Sequence, residues 1–268
     1  MLGKLIKYDF KAISIPLLIL HSALLLFTIF SRFFVFNHID YSENNPLSLF
    51  TFLFVLLFYI GNIAISLGTY VIIALRFYKH LFTEKGYLAR TLPVSSLSHL
   101  LSKTIVGIVW GFVNTILITF CTAFVIFTPS FFKATNLIGG MNVFFQVFGF
   151  HNSFQVAFFL IATVILTLLS VICSIALIYL AIALGSLFSN HKILASIAFY
   201  FVLNFAYSMI SSIVMLPLFV KSTSTFESIR NLPHLLFSTY GILSIVIIIL
   251  STLSYFVIHY LMDKKIDL

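Results

Sequence analysis

Residues able to carry chemistry are few in this sequence, and their placement is informative. The acids are Asp9, Asp40, Glu43, Glu84, Glu227, Asp263 and Asp267, and each falls outside the spans read below. Ionisable groups inside a bilayer mark proton relays and ion-coupling sites. Only His21 and His259 lie within spans, each toward the cytoplasmic end, where a satisfied or interface-facing imidazole is the plainer reading. A proton- or sodium-driven carrier is therefore disfavoured. No HExxH, CxxC or GxSxG occurs, so metallohydrolase and serine-hydrolase readings lack their minimal parts, and neither a catalytic nor a metal-binding set is expected. GxxxxGK[ST] is absent too, so ATP is not hydrolysed here by a P-loop. An interfacial enzyme would have to be built from His38, Asp40, Glu43, His151 and His234, which are scattered. Cys121 and Cys173 sit in apolar runs and read as small hydrophobes, not as a disulfide.

The uncharged polar residues within the spans are Asn62, Asn114, Thr119, Thr163, Ser170, Ser174, Asn204, Ser208 and Ser211. They either hydrogen-bond helix to helix or line a translocation path, for which Asn62, Asn114, Asn204 and Ser208 are the candidates. Gly107 and Gly111 form a GxxxG, which allows close helix approach.

The elements that must hold these groups follow from the charge. Of the 268 residues, 61% are hydrophobic and 8% charged. Soluble domains carry about 25% charged residues, so a soluble globular protein is excluded. The longest stretches free of Lys, Arg, Asp and Glu are 12–31, 44–75, 104–132, 134–191, 193–220 and 231–262. A spanning helix needs about 20 mainly apolar residues. The 134–191 stretch is long enough for two, but 136–155 holds Gly139, Gly140, Asn142, Gln146, Gly149, His151 and Asn152, too polar to cross hydrocarbon. It reads instead as an interfacial loop. The expectation is an all-α membrane protein forming a single transmembrane domain over 1–268, with six helices at about 13–33, 49–75, 104–127, 156–184, 193–216 and 235–261. Barrel strands would alternate polar and apolar residues, which these runs do not. The first run has no small-residue cleavage site after it, so it reads as a retained span and not as a secretory signal.

Six spans place both termini on one side. Segments on that side hold Lys4, Lys7, Lys11, Arg76, Lys79, Lys85, Arg90, Lys103, Lys192, Lys264 and Lys265; the other side has Arg32, Lys133, Lys221 and Arg230. The positive-inside rule makes both termini cytoplasmic in a multi-pass protein of the cell membrane. The net charge of +8 is then an orientation signal aided by anionic lipid, and needs no nucleic acid.

In residues 1–12, Leu2, Leu5, Ile6 and Phe10 recur at helical spacing opposite Lys4, Lys7 and Lys11. This segment is either an amphipathic helix in the headgroup layer or a simple positive flank of the first span, with Pro16 marking a bend. The largest cytoplasmic segment, 76–103, combines five basic residues with Gly86, Pro93 and the apolar Leu81, Phe82, Leu88 and Leu92. It reads either as a solvated loop or as a short helix with one face toward a soluble partner.

These features together resemble the permease subunit of an ABC-2-type bacterial ABC exporter. The strongest local match is 82–95, FTEKGYLARTLPVS, where Glu84 and Gly86 precede Leu92-Pro93-Val94-Ser95 and a third span led by Ser102-Lys103. The opening MLGKLIKYDFKA also resembles the start of such permeases in low-GC Gram-positive bacteria. The resemblance implies that 82–92 is a coupling helix docking on a separate ATPase subunit. Phe82, Tyr87 and Leu88 would be its apolar contacts, and Glu84 and Arg90 its polar ones. Lys85, Gly86, Leu92 and Pro93 lie in the same segment, and Asn190, His191 and Lys192 would make a second contact. It implies two ATPase copies carrying ATP and Mg, no cofactor on this chain, and a second permease copy or a paralogue. The cargo would be amphipathic or hydrophobic, foremost an antimicrobial or cytolytic peptide in export or immunity, with a lipid or hydrophobic drug as the alternative. A non-transport scaffold or sensor subunit is the remaining class.

Overall fold

The computed structural model describes residues 2–34, 48–83, 95–126, 149–150, 152–188, 191–223 and 232–264. Six long helices account for nearly all of them: α1 (Leu2–Phe34), α2 (Ser48–Leu81), α3 (Ser96–Ile126), α4 (Ser153–Gly185), α5 (Lys192–Thr223) and α6 (Leu232–Lys264). Among the described residues there is no strand. Each helix contains a stretch apolar enough to cross a bilayer. The helices outrun the expected spans, because a charge at a helix end does not stop the helix. Arg76, Lys79 and Lys103 all lie within helical turns. At 1.5 Å per residue, helices of this length reach ~50 Å against a hydrocarbon core of ~30 Å, so their last turns stand among headgroups.

Residues 2–12 are continuous with the first span in one 33-residue helix, and Pro16 lies inside it. The buried positions of α1 are Asp9, Ile13, Leu17, His21, Leu24, Thr28 and Ser31, three or four residues apart. They form one stripe along the whole helix, facing α2 and α3.

Side-chain contacts give the topology. Asp9 at the start of α1 meets Arg76 near the end of α2 and Lys103 near the start of α3. Phe77 of α2 stacks on Tyr179 of α4, with ring centroids 3.8 Å apart. Ile258, Leu261 and Met262 near the end of α6 join the same apolar cluster as Ile13, Phe77 and Tyr179. At the opposite end, Arg32 of α1 donates to the Phe124 carbonyl of α3, and Phe158 of α4 packs edge-on against Phe237 of α6. The helices therefore run up and down in chain order. α1 packs chiefly on α3 and α2, and α4 chiefly on α6 and α5, giving two three-helix halves.

Gly107 and Gly111 join the halves. A Cβ on Gly111 would stand 2.7 Å from Val171 Cγ1, and one on Gly107 would stand 3.2 Å from the Tyr179 hydroxyl. The GxxxG thus serves close approach of α3 to α4. Outward faces are largely apolar, with Phe201, Phe205 and Phe256 among many large exposed side chains. Water would penalise so much contiguous apolar surface, whereas hydrocarbon does not. The chain is a multi-pass membrane protein.

Candidate functional site

Among the described residues, the strongest concentration of charge inside the bundle is at the end where α1 begins. Asp9 is 5% exposed. Its Oδ1 accepts from Lys103 Nζ at 3.1 Å and Arg76 Nη2 at 3.3 Å; its Oδ2 accepts from Ser102 Oγ at 2.8 Å and Lys103 Nζ at 3.2 Å. One carboxylate thus binds three helices. Lys103 is as buried as Asp9, while the Arg76 side chain is 27% exposed and keeps part of its charge near the headgroups. Burying such ions is costly unless each is paired and hydrogen-bonded. Here the carboxylate uses both oxygens on cations and a hydroxyl.

The fourth helix is drawn in through the backbone. Tyr179 is fully enclosed and its hydroxyl donates to the Lys103 carbonyl at 3.1 Å, while its ring stacks on Phe77. Lys103 therefore meets α1 with its side chain and α4 with its carbonyl. A contact between the two halves and the ion cluster are one joint.

This joint stands at both roots of the connection from α2 to α3. At the α2 root, the Phe82 amide continues the helical bonding to the Tyr78 carbonyl at 2.9 Å. The Phe82 ring is 2% exposed and packs on Phe77 at 5.6 Å. It is thereby part of the bundle's own core. At the α3 root, Ser95 caps the helix: its Oγ accepts from the Ser98 amide at 3.4 Å, its carbonyl accepts from the same amide at 3.0 Å, and the Ser95 and Ser98 hydroxyls are 2.9 Å apart. The other residues expected to contact an ATPase here, Glu84, Lys85, Gly86, Tyr87, Leu88, Arg90, Leu92 and Pro93, lie outside the described residues. So does Asn190, whereas His191 is exposed and Lys192 begins α5 half-buried.

A second polar group lies deeper between α1, α2 and α3. His21 is twelve residues beyond Asp9, ~18 Å along the helix axis. Its Nε2 is 3.2 Å from Asn114 Oδ1, a hydrogen bond in the tautomer that carries the ring proton on Nε2, since a carbonyl oxygen only accepts. Thr69 Oγ1 is 3.2 Å from the same oxygen, and Asn114 Nδ2 donates to Ser66 Oγ at 3.3 Å. Trp110 lies between the two polar groups, its ring stacked with Phe10 at 5.3 Å and with His21 at 6.0 Å. Asn114 thus ties helices together inside one half of the bundle.

The other path candidates separate. Asn62 is buried, with Nδ2 donating to the Phe58 carbonyl of its own helix at 2.8 Å. Asn204 Nδ2 donates to the Tyr200 carbonyl at 2.9 Å, and Ser208 is exposed on the outward side of α5. Thr119, Ser170 and Ser174 return their hydroxyl protons to carbonyls of their own helices. Thr163 does the same, and its hydroxyl also lies 3.4 Å from that of Tyr240 on α6. His259 pairs with Asp263 one turn on, at the exposed end of α6. Of the scattered interfacial set, His234 is exposed and His38, Asp40, Glu43 and His151 lie outside the described residues.

No protein-family model matches the chain, and neither a curated protein nor a solved structure is significantly similar to it.

Asp9 is not among the candidate site residues read from the sequence, where it stands only as one of the acids outside the spans. Its signal was the stripe: Asp9 stands four residues before Ile13, which stands four before Leu17 and eight before His21, so it belongs to the buried face of α1. Two of the cations near it, Arg76 and Lys103, bound the basic segment already singled out.

Proposed function

We propose that this chain is the membrane-spanning permease subunit of an ATP-driven exporter of the ABC-2 type, powered by a separate ATPase subunit. The observation that carries the reading is the joint of Asp9, Arg76, Lys103 and Tyr179 at the roots of the α2–α3 connection. A motor acting on that connection would act on both roots at once. Through Asp9 the displacement passes to α1, and through the Lys103 carbonyl and Tyr179 to α4, so both three-helix halves respond. The connection itself carries the stretch around Glu84, Gly86 and Pro93 on which the family resemblance rests.

An ion-coupled carrier is less well supported, although Asp9 is a buried carboxylate. Its oxygens are occupied by two cations and a hydroxyl from the two neighbouring helices, α2 and α3, an arrangement suited to fixing the three helices in place. The excess of cations at this end supports a cytoplasmic orientation by the positive-inside rule, and an ATPase would meet it there. A second copy of the chain would cover outward faces such as that of α5, and the path would then run between copies beside Asn204 and Ser208. The uncharged, largely apolar faces suit an amphipathic or hydrophobic cargo, foremost a cytolytic or antimicrobial peptide.

The test is uncoupling. With the permease and its ATPase reconstituted in vesicles, Glu84→Ala combined with Tyr87→Ala should keep membrane insertion and ATP hydrolysis but lose most peptide transport. Full transport by the double variant would refute the assignment.

A further inference from the structure

A groove of about 270 Å³ runs along the outside of the bundle between α2, α4 and α5. On α2 its lining extends from Leu67 to Tyr78, on α4 it includes Ala181, and on α5 it extends from Ile193 to Tyr200. Eleven residues of helix are ~17 Å long, which is close to half of the ~30 Å hydrocarbon thickness. The groove therefore has the depth of one leaflet, and its wall is almost wholly hydrocarbon and tyrosine.

Two lysines flank one end of the groove in the chain. Lys79 directly follows the lining residue Tyr78, and Lys192 directly precedes the lining residue Ile193, both at the end of the bundle that carries Asp9. Lys79 is exposed, Lys192 half-buried, and neither pairs with a carboxylate of the described residues. Arg76, one turn before Lys79, is already held by Asp9. Two cations above an apolar slot one leaflet deep match a molecule with an anionic head and a long hydrocarbon tail.

We infer that this groove is a binding site for an anionic phospholipid, with an acyl chain between α2, α4 and α5 and the headgroup phosphate against Lys79 and Lys192. The lipid would bridge the two halves of the bundle, since α2 belongs to one and α4 and α5 to the other. The site does not depend on the exporter reading.

The test uses the full chain, purified in detergent, stripped of lipid and titrated with phosphatidylglycerol or phosphatidylcholine, with bound lipid counted by native mass spectrometry. Each basic group beside an anionic headgroup is worth about fivefold in affinity. The wild type should prefer phosphatidylglycerol by ~30-fold, and Lys79→Gln/Lys192→Gln should abolish that preference by weakening phosphatidylglycerol binding far more than phosphatidylcholine binding. Ile197→Trp, at an exposed position on the groove wall, should weaken binding of both lipids by filling the slot. Soluble glycerol phosphate, which offers the head without the tail, should not compete. Equal affinity of the wild type for the two lipids, a preference that survives the double lysine variant, or undiminished binding by Ile197→Trp would each overturn the site.

Discussion

Replacing Asp9 with Asn removes the single negative charge that Lys103 and Arg76 share. Both cations lie within 3.3 Å of Asp9 Oδ1, so their charged groups are at most ~6 Å apart. At an effective dielectric constant of ~20, two like charges at that distance repel by roughly 3 kcal/mol. Water reaches Arg76, whose side chain is 27% exposed, and lessens this; Lys103, at 5%, has no such relief. Breaking a buried ion pair from one side costs about 3–5 kcal/mol, and Asp9→Asn should fall toward the lower end. Lys103→Met should cost less, about 1–2 kcal/mol, because Arg76 and Ser102 still satisfy the carboxylate. In the double variant the repulsion is gone, so its cost should be at least ~1.5 kcal/mol below the sum of the singles. The assay is equilibrium unfolding of the purified chain in mixed micelles, followed by the fluorescence of Trp110, the one tryptophan, which lies on the α1–α3 interface. An Asp9→Asn variant within 0.5 kcal/mol of wild type, or strictly additive costs, would refute the joint.

Other outcomes follow from the same packing. Gly111→Leu forces a side chain into Val171 and should destabilise the α3–α4 contact by about 1–3 kcal/mol, read in the same unfolding assay. Asn114→Leu removes the acceptor shared by His21 and Thr69; hydrogen bonds between membrane helices average about 0.6 kcal/mol, so a loss of about 1–2 kcal/mol is expected, with His21→Phe adding little more. Tyr179→Phe keeps the stack on Phe77 but deletes the bond to the Lys103 carbonyl, at about 1 kcal/mol. In a working transporter it should also lower transport per ATP hydrolysed.

Which features were legible in the sequence follows from the range of the physics involved. Apolar run length is a local property, so six helices could be read from the gaps between charges. Helix ends could not, because a charge such as Arg76 or Lys103 bounds an apolar run without ending a helix. The GxxxG at Gly107 was readable as a close approach, but its partner, Val171 on α4, was not. Asn114 stood out as a polar residue in a span, yet its role depends on His21 and Thr69, 93 and 45 residues away. Asp9 was hidden most completely: three neighbouring lysines made its segment look like a surface helix, and the cations that bury it lie 67 and 94 residues further on.

The central claim, that an external ATPase drives this bundle through the α2–α3 connection, is tested most directly by crosslinking. Tyr87→Cys in the full chain, expressed with its native membrane complement and treated with a short bifunctional reagent, should join the chain to a soluble subunit whose peptides contain a P-loop. The same cysteine placed at exposed Phe201 on α5 should not. Absence of any ATPase from the Tyr87→Cys adduct, with the chain correctly inserted, would contradict the account.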